Sequence, residues 1–160
     1  MKKELIGVIA CVTFSGCTSE EAPSKQGQLL SIETIKTLDS YKTYQNKLIS
    51  VEGYPAFCSK VVTSVRSNSP NKISVYAEPG CKGKELIDAN ILVDRGDIVV
   101  IGNKKRNCLS IAENSDFENI KMITDDYKNT SNEKVRLSGT LVYENGSYYL
   151  DKVTIHKLSL

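Results

Sequence analysis

The apolar positions change period several times along the chain, and each change marks an element. Ile32, Ile35, Leu38 and Tyr41 recur at helical spacing, with Ser31 or Thr34 available as a cap, which predicts a short amphipathic helix over Ser31 to Asn46. From Leu48 to Tyr54 the pattern becomes strand-like and continues, past a break near Pro55, to Val65. Ser67 to Asn71 is dense in turn formers, and Ile73, Val75 and Ala77 then alternate with polar residues, which predicts a β-hairpin. Asp97 to Gly102 predicts a third strand, introduced by the turn Asp94-Arg95-Gly96.

A second helix is predicted after it. Ser115 and Glu118 fit a capping box, and Phe117, Ile120, Ile123 and Tyr127 follow at spacings of three, three and four. The chain closes on its clearest local signal. Val135, Leu137, Gly139, Leu141 and Tyr143 alternate, Asn145-Gly146 supplies a type I′ turn, and Tyr148 and Leu150 resume the alternation. That turn sets Tyr143 opposite Tyr148 and Leu141 opposite Leu150. Val153 and Ile155 then change parity, which predicts a β-bulge near Asp151-Lys152. Residues 79–96 fit the scheme least, and Leu86 to Val93 is assigned to neither helix nor strand.

The order helix, three strands, helix, two strands makes the protein mainly β (α+β). After the first helix it resembles the OB-fold, a small five-stranded Greek-key barrel. The pieces Val51-Glu52-Gly53 and Leu137-Ser138-Gly139 resemble the first and fourth strands of that barrel, where glycine permits sharp coiling. The resemblance runs from about Leu48 to Leu158 and implies an OB-like barrel with an N-terminal helix and a helix between strands three and four. An unrelated β-sandwich is the alternative architecture.

The first residues read differently. Met1-Lys2-Lys3 is a short basic region, Leu5 to Phe14 is largely apolar, and the small residues Ser15-Gly16 precede Cys17, the layout of a secretory signal peptide. The apolar run is too short for a hydrocarbon core, which takes about 20 residues. Phe14-Ser15-Gly16-Cys17 resembles the lipobox of bacterial lipoproteins, with Phe14 where that family usually has an aliphatic residue. The resemblance implies cleavage before Cys17 and acylation of its thiol. Two or three acyl chains would then hold the protein on a membrane. Thr18 resembles the family's outer-membrane sorting residue, for a host with two membranes. The expected organisation is a signal peptide at 1–16, a lipidated cysteine and flexible tether at 17–28, and the OB-like domain at 29–160. With its lipid cysteine, the whole chain resembles small OB-fold lipoproteins of the bacterial envelope.

Charge adds little. Removing residues 1–16 takes away Lys2, Lys3 and Glu4 and leaves 19 basic against 18 acidic side chains, a net charge near +1 that names no electrostatic partner. Of the five cysteines, Cys11 leaves with the signal and Cys17 takes lipid, so Cys58, Cys81 and Cys108 remain to be oxidised after export. A first hairpin centred between Ser69 and Pro70 sets Cys58 opposite Cys81 and predicts a disulfide between them. That register pairs odd positions with even ones, whereas Val61, Val65, Ile73 and Val75 are all odd. It therefore requires a bulge or is off by one.

The three cysteines and the lone His156 lack CxxC spacing, so neither a zinc site nor another cofactor is expected. No catalytic constellation is visible either, and the acidic residues are scattered. The expectation is a non-enzymatic envelope lipoprotein whose barrel binds a protein or a glycan. The second reading is an OB module for single-stranded nucleic acid, with Tyr54 and Tyr76 as stacking faces and Lys104, Lys105 and Arg106 as its cations. Low net charge and an envelope location weigh against nucleic acid.

Overall fold

The computed structural model describes residues 24–35, 37, 42–58, 69–95, 105–111 and 120–158. In chain order the elements are β1 (Gln28–Leu29), α1 (Ile32–Ile35), β2 (Leu48–Ala56), β3 (Ser69–Tyr76), β4 (Glu85–Arg95), β5 (Cys108–Ile111), β6 (Lys121–Ile123), β7 (Asn129–Ser131), β8 (Val135–Glu144) and β9 (Ser147–Lys157). Strand β2 pairs antiparallel with β3 and with β8, β3 with β4, and β8 with β9. A parallel contact of β4 with β9, Asp88 opposite Tyr149, closes the ring. The result is the expected five-stranded OB-like Greek-key barrel. Ile49, Val51, Ile73, Ile91, Leu137 and Ile155 fill its interior and are essentially inaccessible.

The last hairpin forms as its alternation predicts. Tyr143 faces Tyr148, Leu141 faces Leu150, and Asn145 and Gly146 take positive φ in the turn. The bulge is also where the parity change places it. Ser138 pairs with Thr154 but Thr140 pairs with Asp151, and Lys152 absorbs the additional residue at a φ of 52°. Gly139 lies against that bulge. A Cβ at this position would stand 2.8 Å from the Asp151 carbonyl oxygen, and one at Gly53 would stand 2.7 Å from that of Tyr76. Both glycines are required because backbone approaches where a side chain would begin. Gly139→Ala is expected to cost about 2 kcal/mol through backbone displacement, read as a lower urea midpoint at unchanged slope.

Three expectations need correction. The third barrel strand is β4, which starts twelve residues before the expected Asp97–Gly102 segment and runs straight through the expected turn at Asp94-Arg95; residues 97–102 lie outside the described ones. Residues 120–127, expected as the second half of a helix, are instead strand β6 and a turn leading to β7. Their cap at Ser115 to Glu118 lies outside the described residues. Strands β5, β6 and β7 extend the sheet from β4, with β5 parallel to it and the next two antiparallel. In the opening segment, where Leu38 and Tyr41 lie outside the described residues, helix among the described ones covers Ile32–Ile35 and 42–44, with Thr37 outside it. Ser31 is its cap, accepting the Thr34 N–H at 3.1 Å.

The end of the expected tether is also not free. Gly27 packs on the backbone of Ile49, β1 pairs parallel with β2, and Ser50 Oγ donates to the Gly27 carbonyl at 3.0 Å. Gln26 accepts from Arg136 Nη1 at 2.9 Å. Ser24 is clamped by Asp125, whose carboxylate accepts its N–H at 2.6 Å and its hydroxyl at 2.9 Å. The same carboxylate accepts Asn107 Nδ2 at 2.8 Å and faces Arg106 at 3.8 Å, with its side chain only 3% exposed. Through its N–H, donated to the Ile155 carbonyl at 2.7 Å, Asp125 also ties this cluster to β9.

Cys58 and Cys81 form the expected disulfide, with Cα atoms 5.9 Å apart, but by a different route from the register arithmetic. Ser69 and Pro70 are inside β3, and β2 pairs with β3 as Tyr54 with Tyr76 and Ala56 with Ser74. The bridge therefore lies outside the ladder, joining the end of β2 to the loop between β3 and β4. Cys108 is free and fully buried in β5. Burial, and secondarily the charge of Asp94, push its thiol up to about 11 against the opposing effect of Lys105.

Candidate functional site

An OB barrel exposes the outer face of its second and third strands to ligands, and here those strands are β3 and β4. Alternation decides what that face carries. With Ile73, Val75, Ile87, Ala89, Ile91 and Val93 inward, Lys72, Ser74, Tyr76, Asp88 and Asn90 point outward. Cross-strand pairing continues the face onto β9 and β8, giving a belt of neighbours Val142, Tyr149, Asp88, Ser74 and Ala56. Beside it run Asp151, Asn90 and Lys72.

Polar contacts hold this face in order. Ser74 Oγ donates to Asp88 Oδ1 at 2.8 Å, and Asn90 Nδ2 to Asp151 Oδ1 at 3.3 Å. Lys72 places its ammonium 4.6 Å from the centre of the Tyr149 ring, so its charge is engaged by an aromatic face. The Tyr149 hydroxyl donates to Glu144 at 3.0 Å, and that hydrogen bond raises its pKa. Burial, then the charge of Glu85, raise that of Tyr76. Both phenols therefore stay protonated donors at neutral pH. Asp88 takes one bond from Ser74, a fraction of the roughly four acceptor sites of a carboxylate.

The structure brings Tyr54 and Tyr76 together as cross-strand partners at one border of this face. It does not bring the basic run to them. Lys105 pairs with Asp94 at 3.1 Å, nine residues along β4 from Glu85, the partner of Tyr76, and thus about 30 Å away at the rise of a strand. Arg106 is directed at Asp125, with its guanidinium 5.8 Å from the Tyr127 ring. Lys104 and Cys17 lie outside the described residues. Sequence reasoning did not find Asp88, Asn90, Tyr149 and Asp151. The signal for the first two was the odd-numbered apolar series in β4, blurred by Leu86 and Leu92.

His156 is half-buried, with Nε2 3.0 Å from Thr154 Oγ1, and burial lowers its pKa against the raising effect of Asp125. It lies on a different part of the barrel from the Tyr76 and Asp88 face. Among the described residues no group of three or more His, Cys, Asp or Glu side chains is placed to hold a metal ion, and no helix is long and apolar enough to cross a membrane. No family model, curated protein or solved structure matches the chain.

Proposed function

We propose that this chain is a lipid-anchored envelope protein, attached through Cys17, whose barrel binds a glycan without catalysis on the outer face of β3, β4 and β9. The signal layout and lipobox-like Phe14 to Cys17 support the anchor. The observation that carries the glycan reading is the belt of Tyr149, Asp88 and Ser74 with Asn90 and Asp151 beside it. Carboxylate, amide and hydroxyl groups held rigidly on a sheet match the donors and acceptors of sugar hydroxyls. Tyr54 and Tyr76 offer apolar ring faces to sugar C–H groups. Asp88, Asp151, Glu85 and Glu144 on or beside that face oppose a phosphate backbone, which argues against single-stranded nucleic acid.

Calorimetry with oligosaccharide fragments of an envelope polymer tests this. Asp88→Ala is expected to weaken binding about tenfold or more, the scale of one hydrogen bond to a charged group at about 1.5–3 kcal/mol. An oligonucleotide is expected not to bind at low salt. Steep, salt-dependent oligonucleotide affinity with no glycan binding would overturn the reading. The same carboxylates support a second reading, a basic protein partner, which cross-linking from native membranes would reveal.

A further inference from the structure

We infer that the turn joining β6 to β7 is the membrane-facing surface of the protein, with Tyr127 seated at the lipid headgroup level. This rests on the proposed acylation of Cys17.

Cys17 and Ser24 are seven residues apart, so the chain between them reaches at most about 25 Å. Some 5–7 Å of that lies within the headgroup layer. The clamp on Ser24 then decides which side of the barrel is lowest. Ser24, the first described residue, is bound by Asp125, the second residue of the turn at 124–128, so the tether is joined to the barrel at this turn.

The turn is rigid. Thr124 is fully buried, its N–H donates to the Lys128 carbonyl and its Oγ1 accepts the Lys128 N–H, both at 3.0 Å. Tyr127 is held at a φ of 60°, a conformation that bulky residues seldom adopt, and its side chain is 41% exposed beside the Arg106 guanidinium. An exposed aromatic ring beside the Arg106 guanidinium, with Lys128 next in the chain and paired to Asp126, is the pairing that favours a membrane–water interface.

The opposite end of the barrel is out of reach. Ile155, hydrogen-bonded to Asp125, pairs with Leu137, and Tyr148 pairs with Tyr143, so the ladder between them spans six positions, about 20 Å. The Asn145-Gly146 turn projects beyond that, past the tether length left above the headgroups.

The chain has no tryptophan, so Tyr127→Trp and Tyr143→Trp each install a single reporter, the second at the distal tip where Tyr143 is 47% exposed. Acylated full-length protein is reconstituted into phosphatidylethanolamine–phosphatidylglycerol vesicles carrying brominated acyl chains. Emission from position 127 is expected to shift to the blue and lose at least half its intensity, while that from position 143 is unchanged. Lys128→Trp, at a side chain 68% exposed, reads the same turn if Tyr127→Trp does not fold. Flotation with the vesicles but no quenching at the turn, or equal quenching at both ends, overturns the orientation alone. Failure of the protein to float overturns the anchor and the orientation together.

Discussion

Asp125→Asn is expected to destabilise the fold by about 3 kcal/mol despite the near-identical shape of the side chain. Each group that meets this carboxylate is a donor: the Ser24 N–H and hydroxyl, the Asn107 amide and the Arg106 guanidinium. An asparagine turns one acceptor into an NH2 group, which then faces donors in a site with almost no access to water. The cost is that of buried donors left unsatisfied together with a lost charge partner. Urea unfolding measures it. Trypsin gives a local readout, since release of Ser24 is expected to speed cleavage after Lys25 well before the barrel unfolds.

The pH dependence has a definite sign. Burial alone would raise the pKa of Asp125, but the bonds from Asn107 and Ser24 and the charge of Arg106 outweigh it and hold the group below its ordinary value. A carboxylate depressed in the folded state adds stability above its unfolded pKa, about 3.9, and that stability is lost as pH falls through the folded value. His156, whose pKa is lowered chiefly by burial, acts in the same direction from about pH 6.5 downwards. Stability is therefore expected to decline in two stages on acidification, and Asp125→Asn to shrink the lower one, to which the depressed carboxyls of Asp126 and Glu133 also contribute.

The second large effect is expected at the disulfide. Cys58 and Cys81 are 23 residues apart, and removing a bridge across a loop of that length costs about 3.5 kcal/mol in the chain-entropy model. Cys58→Ala with Cys81→Ala is expected to lower the urea midpoint accordingly. Non-reduced peptide mapping of the wild type should recover the two cysteines in one linked species, with Cys108 alkylated only after unfolding.

Local chemistry was legible in the sequence where it acted alone. Asn145-Gly146 specifies its turn within two residues, and the parity change at Val153 exposes the bulge because one inserted residue moves all later side chains across the sheet. Segments settled by distant partners were not legible. In β4, Leu86 and Leu92 interrupt the odd-numbered apolar series, so its period shows only once β3 and β9 flank it. Ile120 and Ile123 have the spacing of a helix, and the three-residue strand Lys121–Ile123 is too short to show alternation. Ser24 and Gln26 read as tether because hydropathy does not register that their partners, Asp125 and Arg136, are about a hundred residues away.

The candidate site divides in the same way. Tyr54 and Tyr76 follow from barrel pairing and are adjacent, whereas Lys105 and Arg106, grouped with them by composition, serve Asp94 and Asp125 at the other end. Proximity in sequence carried no information about proximity on the sheet.

The sealed position of Cys108 has a consequence for oxidative folding. With its thiol pushed up to about 11, only about one molecule in ten thousand carries the thiolate at pH 7, and that sulfur is walled in by β4 and β6. Once the sheet has closed over β5, Cys108 can no longer attack the Cys58–Cys81 bridge, and scrambling among these three cysteines stops without help from an isomerase.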